Sequence, residues 1–252
     1  VEIRDSIYRG REDFVYRLTL GEVPYLTSLY PLGATAGARA ALRVGGWNLP
    51  TDWVVLDRLR DEPGLQPVTV AAGEGLTNPL PFLLSELPEA EEEEPNGRID
   101  AAQLLELPVI VNGRIGEPGD LDLFRFEGEA GDRLVVEVMA RRLGSPLDSL
   151  IRLTDAAGDQ LAVNDDYEDP ASGLITHHAD STFRCKLKKR GSYYLWLGDT
   201  QGQGGEAFGY RLRLGAPQPD FELRVVPSAI NVEAGGSAVC TVHAVRKDGF
   251  DG

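Results

Sequence analysis

Cysteine is scarce in this sequence. The 252 residues hold two, Cys185 and Cys240, together with one methionine and three histidines. Two thiols are too few for a disulfide scaffold and too few for a zinc site. Each sits in an apolar-alternating run, so a buried free thiol is the expectation. Positive charge is also short: 25 basic residues stand against 40 acidic ones, a formal charge of −15. Nucleic-acid binding needs a basic surface that displaces counterions from phosphates, so nucleic acid is excluded as a partner. No run approaches the ~18–20 apolar residues that span a bilayer, which excludes membrane insertion through a helix. No basic-then-apolar signal peptide stands at the start, and the first residue is Val1. The chain is therefore expected to be a mature fragment or an excised piece of a longer protein.

Glycine and proline are plentiful, at 29 and 16 residues. With many short apolar runs between them, they read as an all-β protein of one or two domains. The most informative feature is a repeat. Asp13-Phe14-Val15-Tyr16-Arg17-Leu18-Thr19-Leu20-Gly21 matches Ala207-Phe208-Gly209-Tyr210-Arg211-Leu212-Arg213-Leu214-Gly215 in register at Phe, Tyr, Arg, Leu, Leu and Gly. Both copies alternate as half-buried strands do. Tyr30-Pro31 and Ala41–Val44 resemble Val226-Pro227 and Val239–Val242 more loosely. Two module types alternating along a chain explain this spacing, which is too long for a solenoid.

The expected divisions follow. Residues 1–21 are the final strand of a preceding sandwich, 22–88 a small immunoglobulin-like sandwich, and 89–98 an acidic linker. Residues 99–216 are a jelly-roll-type β-sandwich, and 217–252 start a second small module. Strands are expected at Ala40–Val44, Trp53–Leu59, Pro67–Val70 and Phe82–Leu84 in the small module. In the large one they are expected at Pro108–Arg114, Leu121–Glu127, Arg133–Arg141, Ser149–Thr154, Gln160–Asn164, Ser181–Leu187, Ser192–Gly198 and Phe208–Leu214. The run Glu89–Glu94, closed by Pro95-Asn96-Gly97, reads as a solvated linker extended by self-repulsion, or as a calcium- or partner-binding acidic tail.

Several of these segments carry a resemblance. They are Asn112–Ile115, Gly119–Phe126, Gly131–Leu134, Leu147–Gly158, Asn164–Asp166, Gly191–Leu197 and Tyr210–Leu214. In this order they resemble the bacterial pre-peptidase C-terminal domain over residues 105–215. The resemblance implies a β-sandwich found beside secreted proteases and related to collagen-binding modules. It implies an exported protein, extracellular, periplasmic or on the cell surface. The small module is similar to IPT/TIG or other immunoglobulin-like filler domains.

Calcium is the sharpest chemical expectation, and some members of that family bind it. The ion takes six to eight hard oxygen ligands. In Asp120–Phe126 the period of two places Asp120 and Asp122 on the face of Phe124 and Phe126. Carboxylates entering a sandwich there need amides or a cation. Asn164, Asp165 and Asp166 offer further oxygens in one loop, without the spacing of an EF-hand. The alternative is that these aspartates cap turns through backbone amides. His177 and His178 point to opposite strand faces and cannot chelate one ion together. Ser181, His177 and Asp180 form a triad only on paper, without a nucleophile elbow. The Gly202–Gly205 loop opens no helix and so cradles no phosphate. Lys186–Arg190 is a solvated turn or a dock for an acidic partner. Trp47, Trp53, Tyr193, Tyr194 and Trp196 are core, or a stacking platform for carbohydrate.

The sequence thus implies a non-catalytic spacer of a large exported bacterial protein, calcium-stabilised, with the neighbouring domains of its own polypeptide as partners. The alternative is a module binding an extracellular protein or polysaccharide. Part of a secreted hydrolase ranks third, and it requires a deep polar pocket near His177 or His178.

Overall fold

The computed structural model describes residues 2–8, 10, 14–73, 75–168, 176–227 and 229–252. Asp13, which opens the first repeat copy, and Asp169, the last acid of the loop that begins at Asn164 and a further candidate oxygen ligand there, lie outside them.

The small module carries β1 (Tyr25–Tyr30), β2 (Gly33–Thr35), β3 (Ala40–Trp47), β4 (Trp53–Leu56), β5 (Gly64–Val68), β6 (Ala71–Ala72), β7 (Gly75–Leu76) and β8 (Leu80–Ser85). Two sheets, ordered β1-β3-β4 and β2-β8-β5, close over Leu26, Leu29, Leu42, Val44, Val68, Phe82 and Leu84. Alternation produces this: along β3, Ala40, Leu42 and Val44 turn inward while Ala41 and Arg43 face out. Met139 and Leu143 of the large module complete the same core.

The large module carries β9 (Glu89–Glu91), β10 (Gln103–Leu104), β11 (Val109–Arg114), β12 (Leu121–Gly128), β13 (Arg133–Met139) and β14 (Ser149–Asp155). It continues with β15 (Gln160–Asn164), β16 (Tyr167–Glu168), β17 (His177–His178), β18 (Thr182–Lys186), β19 (Gly191–Asp199) and β20 (Gly209–Gly215). Sheets β10-β12-β19-β14-β15 and β18-β13-β20-β11-β9 form a sandwich. Phe124, Phe126, Val136, Val138, Ile151, Leu153, Leu195, Leu197, Leu212 and Leu214 interdigitate between them. Helix is confined to the short turns Ile99–Ala101 and Arg141–Leu143 among the described residues. The protein is all-β, as the short apolar runs predict.

The acidic run is not a linker. Glu89–Glu91 is an edge strand parallel to β11, with Glu89 opposite Ile110 and Glu91 opposite Asn112. Self-repulsion is overcome because Arg211 is fully buried and needs a counter-charge. Its guanidinium donates to Glu89 Oε1 at 2.8 Å and Oε2 at 3.2 Å, to Asn112 Oδ1 at 2.7 Å and to Ser85 Oγ at 3.1 Å. Gly33 makes room for it, since a Cβ there would lie 2.8 Å from the Arg211 guanidinium carbon. Tyr30 joins the same seam: its hydroxyl donates to Asn112 O at 3.1 Å, and the Arg114 guanidinium lies 4.2 Å from its ring centre.

Residues 14–21 form no strand, although their sequence matches β20. A strand needs a ladder partner, and inside this chain β20 itself occupies the place between β11 and β13. The last strands, β21 (Asp220–Val226) and β22 (Thr241–Lys247), pair as a hairpin. The expectation of buried thiols fails: Cys185 is half-buried on the edge strand β18, and Cys240 is exposed just before β22.

Candidate metal centre

Alternation along β12 carries Asp122 inward with Phe124 and Phe126, and all three are fully buried. An inward carboxylate at a sandwich rim needs partners. Tyr210, also fully buried, supplies one: its Oη lies 2.6 Å from Asp122 Oδ2. The same Oη lies 2.9 Å from Glu92 Oε1. A phenol has one hydrogen and donates to one carboxylate at a time. Two ionised carboxylates and one phenol therefore leave a repulsion that only a proton or a cation relieves.

Glu92 follows β9. Its Oε2 accepts the Arg114 amide at 2.8 Å, and its Oε1 accepts Asn96 Nδ2 at 3.2 Å. Glu94 Oε2 accepts the Asn96 amide at 2.7 Å. One carboxylate oxygen each from Glu92, Glu94 and Asp122 lies within 4.8 Å of the others. Calcium–oxygen distances of about 2.3–2.6 Å put ligands on opposite sides of one ion up to ~5 Å apart, so this spread fits a single ion. Two buried oxygens, Asp122 Oδ1 and Asn96 Oδ1, have no hydrogen-bond partner. Native proteins rarely leave such atoms orphaned.

The electrostatics agree with the geometry. The Asp122 carboxyl is pushed up to about 10, first by burial, then by its contact with Glu92 and the charge beside it. Glu94 is raised, first by burial and then by repulsion from Asp120, Glu92 and Glu117. Tyr210 is raised by burial and by the two carboxylates it faces. Each group resists adding another negative charge to the cluster.

The predicted ligands divide into two places. Asp120 stands at the rim of this cluster and caps the preceding turn, accepting the Gly116 amide at 2.8 Å and its neighbour Leu121's at 2.9 Å. Asp122 is inside. Asn164, Asp165 and Asp166 are elsewhere. Asp122, Leu197, Ile151 and Asn164 lie in one row across the sheet, so Asp122 and Asn164 are three strand spacings apart, roughly 14 Å. Asn164 Oδ1 is taken by the Thr182 amide at 2.7 Å, and Asp166 Oδ2 faces His177 Nε2 at 3.0 Å. Asp165 is exposed. The five residues do not share one shell.

Sequence reasoning offers calcium binding by the Glu89–Glu94 run only as the alternative to a linker, does not join Glu92 and Glu94 to Asp122, and misses Asn96 and Tyr210. Glu92-x-Glu94-x-Asn96 was a usable signal: in an extended chain every second side chain points the same way. A run taken as one block of charge, whether linker or acidic tail, hides that alternation.

The remaining candidates are committed to structural contacts. Asp180 is fully buried and accepts the amides of Ala140, Arg141 and Arg142 at 3.1, 2.6 and 3.2 Å, plus Arg142 Nε at 2.6 Å. Ser181 Oγ lies 2.7 Å from Ser149 Oγ. His178 Nδ1 accepts the Asp180 amide at 3.3 Å. No serine, histidine and aspartate converge as a triad among the described residues. An apolar groove of about 490 Å³, lined in part by Leu107, Pro108, Phe126, Leu187 and Pro217, touches neither histidine. The aromatic set is split as well: Tyr193 is core, Trp196 lies under Arg152 at 4.7 Å, and Trp47 and Trp53 are exposed on the other module.

No protein-family model matches this sequence. A probable subtilase-type serine protease of Deinococcus radiodurans is 43% identical over 81 residues, which are 32% of this chain and 10% of that protein. The chain thus spans about a tenth of the length of this curated relative. Among solved structures, the pre-peptidase C-terminal domain of a Bacillus anthracis collagenase is similar at 15% identity and a TM-score of 0.33. The match covers 49% of this chain and 99% of that domain.

Proposed function

We propose that this chain is a non-catalytic accessory segment of an exported, peptidase-associated protein, and that calcium bound by Glu92, Glu94, Asn96 and Asp122 rigidifies its sandwich. One observation carries the cation: one carboxylate oxygen each of Glu92, Glu94 and Asp122 lies within 4.8 Å of the others, and the buried Asp122 Oδ1 has no hydrogen-bond donor. Oxygen-only donors favour a hard cation, and the number and flexibility of these side chains suit calcium better than the octahedral magnesium ion. Asp120 stands ready at the rim. The ion would join β9's extension to β12 and to the Tyr210 hydroxyl of β20. It would thereby pin the edge of one sheet to the other sheet.

The protease association rests on the partial match to the subtilase-type relative. Export fits a calcium requirement, since extracellular calcium-binding modules work at 10⁻⁴–10⁻³ M ion. The test is calorimetric titration of calcium into EDTA-stripped protein. One equivalent bound by the native chain, and none by Glu92→Gln/Asp122→Asn, is the expected result. Equal binding by both would overturn the assignment.

A further inference from the structure

The two ends of the small module and the C-terminal hairpin can be compared strand by strand. Leu29 pairs Val44 and Tyr25 pairs Trp47 in β1–β3, while Val225 pairs Val242 and Asp220 pairs Lys247 in β21–β22. A left-handed residue directly follows each second strand: Asn48 at φ 55° and Asp248 at φ 51°. Both side chains reach the residue two before the first strand. Asn48 Nδ2 donates to Val23 O at 3.2 Å, and Asp248 Oδ2 accepts the Gln218 amide at 2.8 Å. The hairpins are two copies of one design.

In the second copy the structure shows what precedes the hairpin. Strand β20 ends at Gly215, Ala216–Pro219 connects, and Arg213 of β20 grips Asp248 with two bonds of 2.7 and 2.8 Å. In the first copy, Phe14–Gly21 repeats the β20 sequence, Glu22–Pro24 connects, and the hairpin follows. The junction residues change together. Position 213 is Arg where position 19 is Thr, and position 248 is Asp where position 48 is Asn. A charged pair in one junction corresponds to a neutral pair in the other. Tyr210, Leu212 and Leu214 are fully buried, whereas Tyr16 and Leu20 are 72% and 69% exposed. Trp47, beside Asn48, is 68% exposed. Such apolar exposure at a repeat of a known interface marks a covered surface.

We infer that residues 14–21 form the closing strand of a second sandwich of the 99–215 type, which docks on the small module with Thr19 against Asn48 and covers Trp47. The inference is independent of the cation.

It is tested in the whole chain by inserting a second copy of residues 89–206 between residues 12 and 13. Residues 14–21 can then complete that copy. The benchmark carries Asp13→Ala, Val15→Gly and Thr19→Arg, which restore the sandwich's own strand. Expected are a heat of unfolding that rises in proportion to the added residues and amide exchange of 14–20 slowed about a hundredfold or more. Leu18→Asp in the inserted chain should return exchange to that of the original chain. A folded benchmark beside an unfolded test chain would overturn the strand assignment, and failure of both would overturn the docking position. A micromolar dimer of the original chain with 14–20 protected would make the partner a second copy of this chain, and would also overturn it.

Discussion

The molecule holds two acidic stretches of similar composition and opposite fate. Glu89–Asn96 is folded into the sandwich, with Glu89 on a buried arginine and Glu92 and Glu94 converging on Asp122. Asn164–Asp166 lies at a sheet edge, where an amide meets Asn164, a histidine meets Asp166, and Asp165 is exposed. Composition does not separate them. Position in the ladder does: β9 is parallel to β11 and so delivers its carboxylates toward the rim where β12 and β20 bring Asp122 and Tyr210. What sets the first stretch apart is that the fold brings its half-buried Glu92 and exposed Glu94 against the fully buried Asp122, whose Oδ1 nothing else satisfies.

The sharpest way to break the comparison is at its buried end. Glu89→Gln leaves Arg211 buried without a counter-charge, and a loss of about 3–5 kcal/mol is expected in denaturant unfolding. The equivalent neutral change in the other stretch, Asp166→Asn, should stay within about 0.5 kcal/mol. Next comes the cation cluster. Glu92→Gln/Asp122→Asn should abolish the calcium-induced rise in melting temperature. In EDTA the same variant should melt at or above the native chain, because a repulsion has been removed.

The pH dependence sharpens the contrast further. Asp122 keeps its proton in the folded, cation-free state up to about 10, while unfolded aspartates release it near 3.9. The folded state therefore binds more protons between those values, and stability falls as pH rises through that window. This is the reverse of an ordinary salt-bridged carboxylate. In EDTA, the difference in unfolding free energy between the native chain and Asp122→Asn should move against the native chain from pH 5 to pH 8. Saturating calcium should flatten that trend. The smallest effect is expected at Asp120→Asn, whose one oxygen can still accept the Gly116 amide while the contact to its own neighbour Leu121 is lost. It should weaken calcium binding several-fold and cost no more than about 1 kcal/mol of stability in EDTA, as paired titrations and melts would show.

Much of this was legible in the sequence. The expected strands of the large module fall on β11 to β15 and β18 to β20, because period-two alternation between Gly- and Pro-marked turns has few other solutions. Asp122 was readable as an inward carboxylate for the same reason. The acidic strand was not readable, since its stability comes from Arg211, 122 residues away in sequence. Nothing local to a glutamate run announces a distant buried guanidinium. Nor did the repeat at residues 14–21 specify structure by itself. The same residues that are core in β20 are exposed there, because strand formation depends on neighbours rather than on pattern alone.

The most direct test of the cation assignment is a thermal melt of the intact chain in EDTA, in millimolar calcium and in equal magnesium. At ~100-fold above its Kd, a ligand of the folded state adds about 2.7 kcal/mol, or roughly 5–10 °C for a chain of this size. The account predicts that rise for calcium, a much smaller one for magnesium, and none in Glu92→Gln/Asp122→Asn. Coincident melts in all three solutions would contradict it.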